Sequence, residues 1–496
     1  MKPKHESTPN RREFDKLAKS HSLIPIFRTV TADLETPVSA FLRIADEAPE
    51  AFLLESVEGG EHVGRYTFIG IAPYKKMTAY GRKITVEEGR KSSTFEGDIF
   101  EELKSALAGH TPARLPGLPP FTAGAVGFFA YDAVRLIERL PATAKDELGV
   151  PEACLMFFDQ VLAFDHVKKE IMLIATADLK RGGSYDRAEK RLNKMQKQLA
   201  SALPASASRH KAVDGKLKMI PRTTKAKFLK AVEKGKEYIA SGDVFQCVLS
   251  QRFDCVPGVP AFDVYRALRI VNPSPYMFFL RFGLRNQNAH IVGSSPELLV
   301  RVHDRAVEYR PIAGTRKRSA DEVEDRALEA DLRGDEKEVA EHIMLVDLGR
   351  NDVGRVSEFG TVRVKDLMFV ERYSHVMHLV SAIEGRLKPE LGAIDAFKAC
   401  FPAGTLSGAP KIRAMEIIEE LEPARRGVYG GSILYADFSG NLDSCIAIRT
   451  LYMNGERGHI QAGAGIVADS VPENEFVECA NKAQAVVRAI ERARQR

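Results

Sequence analysis

Along this chain, short runs in which apolar and polar residues alternate, as in strands, are followed by stretches in which apolar residues recur with the spacing of a helix. This pattern restricts the possible fold more than any other feature of the sequence. Residues 51–57, 66–71 and 160–164 have the patterning of strands. Residues 223–242 carry apolar side chains at helical spacing, and residues 244–255 alternate again. The sequence therefore predicts a fold of the α+β or α/β class.

The predicted strand over 244–255 has two different faces. One face is apolar and is expected to pack in the core, whereas the other is polar and is expected to line a cleft. The apolar members are Phe245, Cys247, Leu249 and Phe253, and the polar members are Gln246, Ser250 and Arg252.

The length of 496 residues predicts two domains or one large composite core. Residues 201–216 are rich in Ala, Ser and charge, which is typical of a linker or a surface excursion. We therefore expect an N-terminal region over 1–200 and a C-terminal region over 217–496.

Composition excludes several classes of protein. Hydrophobic residues make up 44% and charged residues 28%, as in ordinary globular proteins. The net charge of +5 is dispersed, without a basic block interleaved with aromatic residues, so we expect no nucleic-acid partner. We find no signal-peptide core and no apolar run of membrane-spanning length, so we expect a cytoplasmic protein without membrane contact. The six cysteines lack the spacing of zinc sites or of a disulfide framework.

Two acidic patterns fall on predicted helices. Glu338 and Glu341 lie three residues apart after Asp335, a candidate N-cap, so they share one helix face. Glu475 and Glu478 repeat this spacing on the last helix. Such patterns are common on solvated helices. If both helices face one cleft, however, their carboxylates would suit Mg²⁺, which keeps several waters and takes other ligands from the substrate.

Turns and a histidine complete the candidate chemistry. Residues 311–315 and 462–465 contain glycines, so their backbone N–H groups can point at an anion, although they could also be plain turns. His378 is either a core histidine or a proton carrier, because imidazole titrates near neutral pH.

Taken together, the motifs resemble those of component I of anthranilate synthase, a chorismate-utilising family of tryptophan biosynthesis. The resemblance runs from about residue 52 to about residue 490. It rests on residues 53–56, 272–277, 295–297, 311–315, 341–348, 350–352, 401–411 and 462–465.

The resemblance implies an α+β fold, a large mixed α/β sandwich with extensive sheets flanked by helices. It implies that Glu341 and Glu478 hold Mg²⁺, and it leaves open whether Glu338 and Glu475 contribute through water. It also implies a set of residues that cradle chorismate. These are Gly314, Thr315, Tyr429, Arg449, Gly463, Ala464, Gly465 and Lys482.

For the reaction itself, the resemblance implies that Glu297 is the acid that protonates the departing ring hydroxyl while ammonia attacks. It implies that His378, beside Thr405, assists the loss of a ring proton and pyruvate. It further assigns the N-terminal region to binding of L-tryptophan as a feedback inhibitor, in a pocket formed by Ser56, Pro275, Tyr276 and Met277. The chain contains no tryptophan, which suits an enzyme made when tryptophan is scarce.

None of the cysteines lies in the Gly-x-Cys-x-Gly turn of a glutamine amidotransferase. We therefore expect glutaminase chemistry in a separate partner, anthranilate synthase component II, and the family resemblance implies a 2:2 heterotetramer.

Two alternatives stay open. Aminodeoxychorismate synthases typically carry lysine where this chain has Ala313, and isochorismate or salicylate synthases carry lysine in place of Gln246. Both absences favour direct amination, although the first is imperfect because some aminodeoxychorismate synthases lack their lysine. The other alternative is a non-catalytic tryptophan sensor. A sensor would have no need of an acid, a metal site and a proton carrier together, and Glu297, Glu341, His378 and Glu478 are all present.

Overall fold

The computed structural model describes residues 6–56, 64–207, 212–284, 287–372 and 376–495. Over these ranges the chain forms twelve α-helices and 24 strands. The helices are α1 (Arg11–Leu17), α2 (Pro37–Ala45), α3 (Ile99–Leu107), α4 (Tyr185–Leu199), α5 (Lys225–Ala240), α6 (Ala261–Val271), α7 (Glu322–Gly334), α8 (Glu336–Val356), α9 (Ala393–Cys400), α10 (Gly404–Ser407), α11 (Lys411–Leu421) and α12 (Pro472–Arg494).

The strands of the first half are β1 (Leu23–Thr31), β2 (Ala51–Glu55), β3 (Tyr66–Ile71), β4 (Lys75–Tyr80), β5 (Lys83–Glu88), β6 (Lys91–Glu96), β7 (Gly124–Phe129), β8 (Ala153–Phe158), β9 (Gln160–Asp165), β10 (Glu170–Asp178), β11 (Ile220–Pro221) and β12 (Gln246–Cys255). Those of the second half are β13 (Tyr276–Leu284), β14 (Gln287–Ser295), β15 (Leu298–His303), β16 (Ala306–Tyr309), β17 (Ile312–Lys317), β18 (Arg363–Arg372), β19 (Val376–Arg386), β20 (Gly408–Ala409), β21 (Ser432–Asp437), β22 (Leu442–Ile446), β23 (Thr450–Asn454) and β24 (Arg457–Ile466).

The strands form two twelve-stranded sheets. The first has the order β1-β10-β9-β3-β2-β13-β14-β23-β24-β12-β11, with β20 added beside β12. The second has the order β17-β19-β16-β15-β22-β21-β7-β8-β4-β5-β6, with β18 added beside β19. Neighbouring strands pair antiparallel, so each strand can bury alternate side chains on two faces.

The sheets pack face to face, and phenylalanines fill much of the space between them. Phe52 of the first sheet meets Phe158 of the second edge to face, with ring centroids 4.7 Å apart. Phe128 and Phe282 form a second contact across the same layer at 5.2 Å. Burying each of these side chains contributes about 1.5–3 kcal/mol, so this layer is a large source of cohesion between the sheets.

Helices cover the outer faces. The first sheet carries α2, α4, α6 and α12, and the second carries α3, α8 and α9. At the end of the first sheet, α5, α11 and α12 pack against β12 and β24 around a separate core. The expected α+β sandwich with flanking helices is therefore confirmed.

Local predictions hold with one exception. The helix predicted over 223–242 is α5, and the strands predicted over 66–71 and 160–164 are β3 and β9. The strand predicted over 51–57 is β2, which ends at Glu55, and Val57 lies outside the described residues.

The exception is Phe245, which was expected in the core but is 73% exposed. It precedes β12, which begins at Gln246, so the sheet alternation does not extend to it. The polar side chains on the other face of β12 are buried as well, at Gln246, Ser250 and Arg252.

Each sheet takes strands from both sides of residues 201–216. In the first sheet β2 pairs with β13, and in the second β7 pairs with β21. The division into regions 1–200 and 217–496 stays a prediction, and residues 208–211 of the segment between them lie outside the described residues. Among the helices described, we find none with the length and apolar character needed to cross a membrane.

Candidate active site and regulatory cavity

A cleft forms where β12 and β24 pair and where α8 and α12 approach them. In this pairing Ser250 lies opposite Gly463 and Val248 opposite Gly465. A Cβ atom at position 463 would lie 2.6 Å from the Tyr429 hydroxyl, so only glycine allows that tyrosine to approach the strand. Ala464, between the glycines, is buried in the core beside α5 and α11, so only its backbone is available to a ligand.

Both predicted metal ligands lie on this cleft. Gln246 Nε2 donates to Glu341 Oε1 at 3.0 Å, and the same amide lies over Gly465. Glu478 pairs with Lys482 at 2.7 Å, and Lys482 Nζ donates to the Gly463 carbonyl at 3.1 Å. Through these contacts Glu341 lies beside Gln246 and Gly465, and Glu478 lies beside Lys482 and Gly463, two residues earlier on β24.

The donor set fits a magnesium ion that takes other ligands from water and substrate. In the part of the chain that is described, no three or more His, Cys, Asp or Glu side chains cluster closely enough to hold a metal by themselves. Two carboxylates are, however, the usual protein contribution to a Mg²⁺ site. Burial and the neighbouring Glu341 raise the pKa of Glu338, and burial with Glu478 raises that of Glu475. Negative charge is thus concentrated on both helices, which favours a cation.

Asp335 caps α8 as predicted, because its side chain accepts from the backbone N–H groups of Lys337 and Glu338. The Glu338 carboxylate approaches Arg316 Nη1 at 3.5 Å.

Glu297 lies between β14 and β15 and is 7% exposed. Thr405 Oγ1 donates to Glu297 Oε1 at 2.8 Å. Burial raises the pKa of Glu297 to about 8, although the Thr405 hydrogen bond and nearby Lys482 act in the opposite direction. The carboxyl group is therefore mostly protonated at neutral pH and can donate a proton.

His378 lies on β19, and its Nδ1 atom has two contacts. Its Nδ1 lies 2.9 Å from the Gly314 carbonyl oxygen and 3.0 Å from Thr315 Oγ1. A carbonyl oxygen only accepts, so Nδ1 carries the hydrogen and Nε2 carries the lone pair. Burial lowers the pKa of His378, and nearby Arg449 lowers it further. The ring is therefore a neutral base at pH 7.

The family resemblance places His378 beside Thr405, and this placement stays a prediction. Thr405 lies on α10 and bonds to Glu297, whereas His378 contacts Gly314 and Thr315. The two residues belong to different elements, and their contacts depend on strand pairing that sequence order does not reveal.

Arg449 directly precedes β23, and its side chain contacts α12. It has a positive φ of 50°, which is uncommon for a residue with a side chain and frequent at functional sites. Its Nη1 donates to the Lys482 carbonyl at 2.6 Å. Burial lowers the pKa of its guanidinium, which nevertheless stays charged at physiological pH.

A second cavity, of about 580 Å³, lies between the two sheets, away from the cleft. Its lining contains all four residues expected to bind L-tryptophan, namely Ser56, Pro275, Tyr276 and Met277. The Ser56 Oγ atom is buried and has no hydrogen-bond partner within the described residues. An unpaired buried hydroxyl costs free energy, so a ligand that bonds to it would gain affinity.

Among the charged residues that line this cavity, Arg301 and Asp443 pair with each other beside Tyr276. Arg301 Nε donates to Asp443 Oδ2 at 2.9 Å, and Arg301 Nη2 donates to the Tyr276 hydroxyl at 2.9 Å. Sequence reasoning missed both residues, because they lie 142 positions apart and no local pattern connects them.

The cavity wall is connected to the segment that carries Glu297 through the ends of two strands, β14 and β22. Tyr276 pairs with Ser295, and the Ser295 hydroxyl accepts from the Glu297 N–H at 3.3 Å. Cys445 lines the cavity, and the next residue, Ile446, donates its N–H to the Glu297 carbonyl at 3.1 Å. A displacement of the cavity wall would therefore act directly on the segment that carries Glu297.

The family of this chain follows from comparison with known proteins. The model of the chorismate binding enzyme family matches residues 49–488, and the chain belongs to this family.

Similar proteins in this family include anthranilate synthase components. Anthranilate synthase component 1 of Acetivibrio thermocellus is 48% identical over 494 residues, covering 98% of this chain and 99% of the relative. That of Pseudomonas aeruginosa is 46% identical and covers 98% and 99%. The crystal structure of component I from Streptococcus pneumoniae is 38% identical, with a TM-score of 0.78 over 92% of this chain and 99% of that one. The family resemblance expected from the motifs is confirmed.

Proposed function

We propose that this protein is the large subunit of an anthranilate synthase. It converts chorismate and ammonia into anthranilate, pyruvate and water. The observation that carries this proposal is the convergence, on one cleft, of the buried acid Glu297, the two carboxylates Glu341 and Glu478, and the cations Arg449 and Lys482. Such a site combines a proton donor with groups that hold an anionic substrate.

Glu297 acts first. Its protonated carboxyl group donates to the ring hydroxyl, which then leaves as water while ammonia attacks the ring. The pKa of about 8 keeps the proton on the acid at neutral pH until the hydroxyl departs. Thr405 fixes the orientation of the carboxyl through its bond to Oε1.

His378 serves the second step. With the hydrogen on Nδ1 bonded to Gly314, the Nε2 lone pair can accept the ring proton. The ring becomes aromatic as this proton leaves and the carbon–oxygen bond to the enolpyruvyl group breaks to release pyruvate. Because burial lowers its pKa, the imidazole is neutral before this transfer.

Arg449 and Lys482 bind the substrate carboxylates. The planar guanidinium of Arg449 suits a bidentate pair with a carboxylate. The backbone at Gly314, Thr315 and residues 463–465 surrounds the ring. Glu341 and Glu478 would hold Mg²⁺, which when bound supplies a Lewis acid for a substrate carboxylate.

Ammonia comes from a partner subunit that hydrolyses glutamine, anthranilate synthase component II. By family resemblance the assembly is a 2:2 heterotetramer in the cytoplasm. L-tryptophan binds in the cavity lined by Ser56, Pro275, Tyr276 and Met277 and inhibits turnover. The unpaired Ser56 hydroxyl and the volume of about 580 Å³, more than sufficient for an amino acid, support this assignment.

The test is an assay of purified protein with chorismate, Mg²⁺ and ammonium at alkaline pH, with and without L-tryptophan. We expect fluorescent anthranilate together with pyruvate, inhibition by L-tryptophan, and a strongly reduced rate from Glu297→Gln. An amino product that becomes fluorescent only after a lyase is added would identify an aminodeoxychorismate synthase. Tryptophan binding without any product would identify a sensor.

A further inference from the structure

Arg426 is a buried cation that the proposed chemistry does not use. It lies in the connection between α11 and β21 and is 2% exposed. Its Nε and Nη2 donate to Glu422 at 2.8 and 2.7 Å. Its Nη1 donates to the Leu406 carbonyl and its Nη2 to the Val248 carbonyl, both at 2.7 Å. The guanidinium thus joins three separate segments of the chain.

One of these segments carries Thr405. The helix α10 has only four residues, so it cannot be stable without contacts from outside. Its Leu406 carbonyl is held by Arg426, and the preceding residue, Thr405, donates to Glu297. The orientation of Thr405 toward the acid therefore depends on a bond made one residue later.

Tyr429 lies three residues after Arg426 in the same connection. The guanidinium carbon of Arg426 lies 4.6 Å from the ring centroid of Tyr131 and 5.5 Å from that of Tyr429. These distances are within the range of cation–π attraction. The hydroxyl of Tyr429 faces Gly463, so its ring is held between Arg426 and the strand of the cleft.

Glu422 anchors the arginine to β12. Its Oε1 accepts from the Ser250 N–H and from Ser250 Oγ, each at 2.8 Å. Ser250 is in turn the register partner of Gly463. Buried ion pairs contribute little net stability compared with apolar residues of similar size, so stability alone does not explain this pair.

We propose that Arg426 is a positioning residue for the reaction assigned above. It holds Thr405 against the Glu297 carboxyl group and Tyr429 against Gly463, and thereby fixes the acid relative to the substrate cradle. This inference rests on the proposed function, since it concerns the same cleft.

The test compares the kinetics of Arg426→Lys with those of wild type and Thr405→Val, using chorismate, Mg²⁺ and ammonia. Lysine keeps the positive charge beside Glu422 but lacks the guanidinium group, whose two terminal nitrogens donate to the Leu406 and Val248 carbonyls. We expect kcat to fall by about a hundredfold, because small displacements of catalytic groups cost about that much. We expect the alkaline limb of the kcat profile to move to higher pH in both variants, since Glu297 loses a hydrogen bond that lowers its pKa.

Arg413→Lys is the matched control. Arg413 lies on α11, pairs with Asp243 and Glu416 and is half-exposed, so this change should leave both kcat and the pH limb unaltered. If Arg426→Lys lowers only the melting temperature and keeps the kcat, the KM and the pH limb of wild type, Arg426 is merely structural and the proposal is overturned.

If Arg426→Lys does not fold, the double variant Glu422→Gln with Arg426→Gln replaces the pair by neutral amides, and replacements of buried pairs are often tolerated. Loss of kcat with the same shift of the pH limb supports the proposal, and kinetics like wild type overturn it. If neither variant folds, the pair is required for folding and the specific positioning role is rejected. A wild-type protein that makes no anthranilate would instead refute the proposed function.

Discussion

Tyr276 and Ser295 are direct partners across β13 and β14, so a wall residue of the second cavity lies opposite the residue that accepts the Glu297 N–H. Beside them, the Ser294 N–H donates to the Arg449 carbonyl at 3.3 Å. An effector in the cavity and a substrate in the cleft would thus touch the same short stretch of backbone from opposite sides. If the effector and the substrate favour different conformations of this backbone, each must weaken the binding of the other.

The first prediction is reciprocity. Chorismate should weaken L-tryptophan binding by the same factor by which L-tryptophan weakens chorismate binding, and coupling of this kind is typically about 5–150-fold. The chain contains no tryptophan, so indole fluorescence reports only the added ligand. Titrations with and without chorismate, in the absence of ammonia, measure the factor. Independent binding would contradict the shared-strand account.

The second prediction concerns Ser56→Ala. Loss of one hydrogen bond, about 0.5–1.5 kcal/mol, should weaken L-tryptophan binding by about two- to tenfold while turnover is kept. The ligand-free protein should not lose stability, because the Ser56 hydroxyl is unpaired within the described residues. A change at Met277, which lines the same cavity, should also relieve inhibition. Undiminished inhibition in both variants would refute the inhibitor site.

The third prediction is the pH dependence of the acid. Glu297 must be protonated to act, and burial raises its pKa to about 8. Activity is therefore expected to hold below this pH and to fall as pH rises through it, provided that the concentration of unprotonated ammonia is kept constant. Glu297→Gln should lose about 10²–10⁴-fold in kcat and the alkaline limb with it. A limb that persists in this variant would belong to another group.

The fourth prediction separates the metal ligands from other acids on the same helix. Glu341→Gln and Glu478→Gln should each lower turnover by at least about a hundredfold, since even residues that only support a ligand matter by about 10–100-fold. Titration calorimetry with Mg²⁺ should show weakened binding in both. Glu336→Gln, an exposed position on α8, is the control and should bind Mg²⁺ like wild type.

Sequence patterns predicted what is encoded locally. The cap at Asp335, the helix α5 and the strands β3 and β9 depend on residues close in sequence, and they formed as expected. The candidate site could be proposed because its motifs are long and occur in a family order. In the structure, Glu341 and Glu478 approach β24 through Gln246 and Lys482.

Contacts between distant segments could not be predicted in this way. The Thr405 bond to Glu297 spans 108 positions and is set by how α10 packs on β12. Likewise, the alternation that includes Phe245 does not reveal where the strand begins. Side-chain periodicity reports which face is buried but contains no information on the partner that buries it.

The interleaving of both halves within each sheet has a consequence for synthesis. When the first 200 residues have left the ribosome, β2 and β7 each lack one neighbour, because β13 and β21 are made later. The nascent chain therefore presents two open sheet edges, which are templates for aggregation until β13 (Tyr276–Leu284) covers the first and β21 (Ser432–Asp437) covers the second. Chaperone demand should be concentrated in that interval.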